Sequence, residues 1–240
     1  LQEKYSPSLI VANAENSAGG SGITQEIAGD LLDRIDVLTS GNHIWDKKEA
    51  IPFLDREPRL LRPQNYPAGN AGRGFCIVEK NGWKAGVLNL QGRVFMEPLD
   101  CPFRAADEAV EKLRAVTPVI LVDFHAEATS EKQALGWHLD GRVSAVVGTH
   151  THVPTADERI LPRGTAYITD VGMAGGYNSV IGIQRGQALA RFLTARPQRF
   201  EPERGGAFLA AVYIEVESST GRALAIRREI FVEDSGEDGD

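Results

Sequence analysis

The chain is poor in the features that mark several large protein classes. Cysteine occurs twice in 240 residues, at Cys76 and Cys101. That pair has no metal-type spacing and suggests no disulfide framework. No apolar run approaches the roughly 18 to 20 residues of a membrane span. The opening LQEKYSPS has neither a basic stretch nor an apolar one, so no secretory signal is visible. The glycine-rich segments match no P-loop or dinucleotide fingerprint, and the lack of an HExxH helix weighs against one large peptidase class. Positive charge is in deficit: 26 Lys and Arg face 33 Asp and Glu, a net charge of −7. This balance argues against a surface built to wrap nucleic acid, but it leaves a nucleotide substrate open. The remainder, 42% apolar and 25% charged, is ordinary for a globular protein. A reduced, cytoplasmic protein is the simplest reading, with no membrane contact and no stable nucleic-acid binding; homo-oligomerisation stays open.

Apolar runs alternate with amphipathic stretches, which indicates α/β organisation. Ser8–Ala14 reads as a buried strand, Thr24–Ile35 as a helix capped by Thr24, and Asp36–Thr39 as a second strand. A short helix follows at Lys47–Leu54. Gly74–Lys80 and Trp83–Leu90 flank Asn81-Gly82, a strong hairpin signal. Helices are expected at Ala105–Val116, Ser130–Leu139 and Gln184–Ala195, and strands at Pro118–Phe124, Val143–Gly148 and Thr165–Asp170. A last hairpin joins Ala207–Glu217 to Arg222–Val232. No repeat or linker interrupts this order, so residues 1–232 are expected to form one domain. The acidic 233–240 segment reads as a disordered tail.

Four polar motifs each follow an apolar strand: Asn13-Ala14-Glu15-Asn16, Gly41-Asn42-His43, Asp123-Phe124-His125 and Gly148-Thr149-His150-Thr151-His152. Ligands of open α/β sheets bind at the carboxyl ends of the strands. Four of the five histidines lie in these motifs, and only His138 falls elsewhere. In extended backbone, His150 and His152 would point to one side. Neutral imidazoles there suit a metal ion. The nitrogen and oxygen donor set favours Mn, Fe or Zn over a cysteine-bound zinc. Glu15 can bridge two cations, and the carbonyls of Asn16 and Asn42 can fill further positions. Such a centre would attract an anionic substrate and activate a water. His43, beside Asn42, can face the cleft and protonate a leaving alkoxide; it can equally hold a loop. Asn42 can also be a simple turn residue. Asp123 and Glu127 can orient an imidazole or be solvated, and Arg93 reads better as a structural ion pair than as a phosphate contact.

The segments ANAENSAGG, GNHIWDKKE, NLQGRVFMEPLDCPF, DFHAEATSEKQALGW and VGTHTHVPTADERILPRGTAYITDVGM resemble the YmdB-like branch of the calcineurin-type metallophosphoesterases. The likeness runs from about Leu9 to the last hairpin. It implies a four-layer α/β/β/α sandwich of two mixed sheets, two metal ions, and hydrolysis of phosphodiesters such as 2′,3′-cyclic nucleotides. By the same resemblance, Glu15 matches the bridging carboxylate, Asn16 and His152 match ligands of the first metal, and Asn42, His125 and His150 match ligands of the second. His43 matches the proton donor. The family's first metal also takes an Asp from a first strand that this sequence does not contain, so roughly one strand and one helix are expected upstream of Leu1. Gly175-Gly176-Tyr177-Asn178 departs from the pattern where a Pro and an Asp are expected. Two other function classes stay open: a metal-dependent hydrolase of another bond, and a regulatory binding protein on the same scaffold.

Overall fold

The structure is a computed structural model that describes residues 2–233. In chain order the elements are α1 (Gln2–Tyr5), β1 (Val11–Asn13), α2 (Gln25–Leu32), β2 (Val37–Thr39), α3 (Ile51–Arg56), β3 (Phe75–Lys80), β4 (Trp83–Gln91), α4 (Pro102–Arg114), β5 (Ile120–His125), α5 (Thr129–Leu139) and β6 (Ala145–Thr149). There follow β7 (Arg159–Ile160), β8 (Ala166–Ile168), β9 (Ala174–Gly176), β10 (Ser179–Val180), β11 (Ile183–Gln184), α6 (Arg185–Thr194), β12 (Ala207–Val216) and β13 (Ala223–Glu233). Glu233 therefore closes a strand, and the rest of the expected acidic tail lies outside the described residues. No helix among the described residues is long and apolar enough to cross a membrane.

Local chemistry explains the boundaries. The Thr24 hydroxyl accepts from the Ile27 amide at 3.2 Å and caps α2. Asn81 and Gly82 have φ of 49° and 80°, the left-handed pair that turns β3 tightly into β4. Helix α4 begins at Pro102, three residues before the expected Ala105, because proline is preorganised for a first helical turn whose amide is unpaired anyway.

A six-stranded sheet runs in the order β3-β4-β5-β6-β8-β7. Strands β4, β5, β6 and β8 are parallel, and β3 and β7 are antiparallel at the two edges. Parallel strands need cover on both faces. On one face α4 and α5 supply Ala106, Val110, Leu113, Leu135 and Leu139 to a core with Leu88, Val122 and Phe124. On the other, Val87 meets Val37 and Leu61, while Ala145 and Ala166 meet Ala223. Helix α2 covers the outer side of β2 through Ala28 and Leu32 against Leu38. The strands expected to form two mixed sheets are hydrogen-bonded as four among the described residues: the six-stranded sheet, the parallel pair β1-β2, the pair β10-β11, and β13-β12-β9. The division arises because β1 and β13 are each the outermost strand of their own sheet.

Candidate metal centre

The carboxyl ends of β1, β2, β5 and β6 meet at one place. Two buried side chains bind the layers together there. Asn89 on β4 grips Ser40, accepting from its amide at 2.9 Å and donating to its carbonyl at 3.0 Å. Asp123 on β5 accepts from Asn13 on β1 at 3.1 Å, from the Thr39 hydroxyl on β2, and from the Thr149 hydroxyl on β6 at 2.8 Å. Burial raises the Asp123 pKa, and the donors from Thr39, Thr149 and Asn13 work against that rise.

At this junction His125 is 1% exposed. Its Nε2 lies 3.0 Å from Glu15 Oε1, 3.0 Å from Asn42 Oδ1 and 2.9 Å from His150 Nδ1. Ligand atoms of Glu15, His125 and His150 all fall within 4.8 Å of one another. Hydrogen bonding assigns the protons. Thr149 gives its hydroxyl proton to Asp123, so its oxygen accepts from Nδ1–H of His125 at 3.0 Å. The Nε2 of His125 is then a bare lone pair aimed at two carbonyl-type oxygens. His150 places Nε2 3.2 Å from the Glu127 carboxylate, which holds the proton on that nitrogen and leaves Nδ1 bare as well. Burial, and then a proton on His125 where a cation would otherwise sit, push the His150 pKa down to about 4, so its imidazole is neutral near pH 7. Burial disfavours the Glu15 carboxylate, but without a cation a proton on His125, together with the His43 amide, outweighs it and holds the pKa below the usual range. The result is four acceptors with no donor between them, an arrangement that calls for a cation.

Gly41 makes this closeness feasible. A Cβ there would stand 2.1 Å from His125 Cδ2 and 2.3 Å from Glu15 Oε2. A second group lies alongside. Asn16 Nδ2 is 3.1 Å from His152 Nε2, and His152 Nδ1–H donates to the Ile181 carbonyl at 2.8 Å. The buried Asn16 Oδ1 has no hydrogen-bond partner among the described residues. The Asn16 amide therefore donates to His152 Nε2, and turning that amide over would bring its orphaned oxygen and the imidazole lone pair to a second cation together.

His150 and His152 do not share a strand face. Strand β6 ends at Thr149, and the two histidines have φ of 105° and 66°. These left-handed conformations are costly for residues with side chains. They turn His150 towards His125 and His152 towards Asn16. Asp170, just after β8, holds the strap between them: its Oδ2 accepts from the Thr151 amide at 3.0 Å and the Thr151 hydroxyl at 2.8 Å. Lys132 of α5, fully buried, pairs with the same oxygen at 2.7 Å.

His43 stands apart from the ligand atoms. Its amide donates to Glu15 Oε2 at 3.3 Å, and its Nδ1 lies 2.9 Å from Asp46 Oδ2. Asp46 also takes the Ser21 hydroxyl. The imidazole side chain is 40% exposed, so Nε2 is open to a bound molecule. Asn13, Gly41 and Thr149 lie in the strand-end motifs but carry no role in the sequence reading, and Asp46, Lys132 and Asp170 also shape the centre without having been singled out from sequence. Asp170 had a usable signal, since it ends a fifth apolar strand. Arg93 forms no ion pair among the described residues; its amide is held by Glu131 at 3.1 Å. His138 pairs with Asp107 far from the centre.

A family model described as YmdB-like protein matches residues 1–229. A protein of Bacillus subtilis (strain 168) named 2′,3′-cyclic-nucleotide 2′-phosphodiesterase is 50% identical over 235 residues, which are 98% of this chain and 89% of that one. A crystal structure of a hypothetical protein from Thermus thermophilus is 45% identical with a TM-score of 0.90, covering 97% of this chain and 90% of the other. Another, described as a novel phosphatase from Mycoplasma pneumoniae, is 37% identical with a TM-score of 0.91, covering 98% and 86%.

Proposed function

The chain belongs to the YmdB-like family, and from that premise we propose that it is a phosphodiesterase that opens the ring of 2′,3′-cyclic nucleotides at a two-metal centre. Glu15 would serve both ions; Asn42, His125 and His150 would help hold one, and Asn16 and His152 would contribute to holding the other. The observation that carries the metal reading is the convergence of Glu15 Oε1, Asn42 Oδ1 and His150 Nδ1 on the bare Nε2 of His125, each within 3.0 Å. The nitrogen and oxygen donors, without a thiolate, suit Fe or Mn first and Zn as an alternative. When bound, such ions lower the pKa of a water molecule and draw charge from the phosphoryl oxygens.

The chain's own residues do the rest. Thr149 and Glu127 fix the tautomers of His125 and His150 so that both bare nitrogens face inward. Asp46 holds the Nδ1 side of His43, which leaves its Nε2 to deliver a proton to the departing 2′-oxygen. Positioning and proton delivery together favour cleavage on one side of the cyclic phosphate.

The same reading treats residues 1–232 as one domain. Helix α2, the β1-β2 and β12-β13 layer, the six-stranded sheet, and α4 with α5 then stack as an α/β/β/α sandwich. The free thiols Cys76 and Cys101 suit the reducing cytoplasm. The test is a substrate panel with product analysis. Metal-dependent release of 3′-monophosphates from 2′,3′-cyclic nucleotides is expected, with slow turnover of simple monoesters and amides. Preferred hydrolysis of monoesters or amides would contradict the reading.

A further inference from the structure

The rim of the metal centre carries an aromatic feature that the hydrolysis itself does not use. Strand β4 sets Gln91 opposite His125 on β5, and the Gly92 amide then donates to the His125 carbonyl at 2.9 Å. Residues 92–97 therefore leave the sheet at the edge of the centre. At their tip stands Phe95, 89% exposed, the most exposed large apolar side chain among the described residues. Its φ is 63°, a conformation that bulky side chains rarely take. Such strain gathers at ligand clamps and active sites. Here it already marks His150, His152 and Ile181, whose carbonyl holds the His152 ring.

The tip is held in place from both ends. The buried Glu131 carboxylate accepts from the Arg93 amide at 3.1 Å and from the Val94 amide at 3.2 Å. The Met96 amide closes the turn onto the Arg93 carbonyl at 3.3 Å. At the far end Glu97 accepts from the Gln91 side chain at 3.2 Å, and Gln91 accepts from the Tyr66 hydroxyl at 3.4 Å. Tyr66 packs edge-on against Trp45, with ring centroids 5.4 Å apart, and Trp45 lies two residues after His43. Burial first raises the pKa of the Tyr66 phenol, and the charges of Glu97 and Glu15 add to the rise, so Tyr66 lies within reach of the metal centre. Trp45 and Tyr66 thus join the His43 turn to the segment that presents Phe95.

We propose that the base of the cyclic nucleotide stacks on Phe95. This rests on the phosphodiesterase reading, in which His43 serves the departing 2′-oxygen and the nucleoside lies on the His43 side of the phosphate. Phe95 is near enough to meet it: three residues on from Gly92, its Cα lies at most about 11 Å from that of Gly92. An exposed ring reads no base edge, so every base is accepted, and purines, with the larger face, bind most tightly.

The test compares 2′,3′-cyclic AMP with the 2′,3′-cyclic phosphate of methyl riboside, which offers the same reacting ring without a base, on the metal-loaded protein. In the wild type the nucleotide should have the lower KM at similar kcat. Phe95→Ala should raise that KM about 5- to 150-fold, the range of base–aromatic stacking, while the KM of the riboside changes less than twofold. Phe95→Trp should keep the low KM and Phe95→Leu should not, although both retain an apolar side chain at the rim. Equal KM values for the two substrates in the wild type, or an equal rise for both in Phe95→Ala, would overturn the stacking proposal and leave the phosphodiesterase reading standing. A wild type that hydrolyses neither substrate would overturn that reading and the stacking with it. A fall in the sedimentation mass of Phe95→Ala would also overturn the proposal, because it would assign the exposed ring to a contact between copies of the chain.

Discussion

Lys132→Met is the most informative single change outside the proposed ligands. The substitution keeps length and apolar stem but removes the ammonium group, leaving the Asp170 carboxylate buried beside the strap that carries His150 and His152. In the native chain the pair is 2.7 Å apart, with side chains 1% and 0% exposed. At an effective dielectric of about 20 the attraction is about 6 kcal/mol, and desolvation offsets much of it. Breaking a buried pair costs about 3–5 kcal/mol because the remaining charge stays uncompensated. Asp170 still accepts from Thr151 twice and from the Gly172 amide, so the lower end applies, about 3 kcal/mol. The companion Lys132→Met/Asp170→Asn removes both charges and weakens one or two hydrogen bonds, for about 1–2 kcal/mol. Urea unfolding of the metal-free chain, followed by circular dichroism and by the fluorescence of Trp45, Trp83 and Trp137, measures both. The double variant should therefore be more stable than the single one. Metal affinity should fall severalfold in Lys132→Met, since Asp170, which anchors the left-handed backbone at His150 and His152 through Thr151, loses its counter-charge. A loss below 1 kcal/mol, or a double variant no more stable than the single, would refute the argument that Asp170 needs Lys132.

Two further predictions follow from the site. His43→Ala should retain its metal but lose roughly a hundredfold or more in kcat on substrates with poor leaving groups. The loss should shrink for nitrophenyl esters, which leave without a proton, and an equal loss on both kinds removes His43 from the role. The second concerns pH. In the metal-free fold His150 stays neutral down to about pH 4, whereas an unfolded histidine charges near 6.5. The unfolded chain thus binds the extra proton between those values, so stability is full above about 6.5 and falls as pH drops towards 4, by about 1–2 kcal/mol once solvent screening of the part-exposed ring is allowed for. His150→Gln should flatten that slope in urea titrations; an unchanged slope would place the effect on another group.

Much of this architecture is legible in the sequence, for identifiable reasons. Asn81-Gly82 and Thr24 act through local backbone rules, so their hairpin and helix cap can be read directly. The four strand-end motifs can be read because apolar strands deliver whatever follows them to one edge of the sheet. The geometry of His150 and His152 cannot. Their side-by-side placement assumes extended backbone, but Asp170 captures Thr151 between them and turns both residues left-handed. That bond joins residues 19 apart in the chain, and no local pattern announces it. The relay from Asp123 through Thr149 to His125 is hidden in the same way. Asp123 lies two residues before His125, yet it orients that ring only through a threonine on the neighbouring strand. The start of α4 escapes for a simpler reason: the apolar periodicity sets in at Ala105, while Pro102 already occupies the first helical turn.

The central claim is a metal centre built on Glu15 and the strand-end histidines, and elemental analysis of wild type beside Glu15→Ala tests it most directly. Glu15 is the one carboxylate among the proposed ligands, and its Oε1 lies 3.0 Å from His125 Nε2. The account predicts that the wild type carries transition metal, and that Glu15→Ala loses most of it while remaining folded by circular dichroism. Hydrolysis of 2′,3′-cyclic nucleotides should fall in step. Wild-type metal content in a folded Glu15→Ala, with turnover intact, would contradict it.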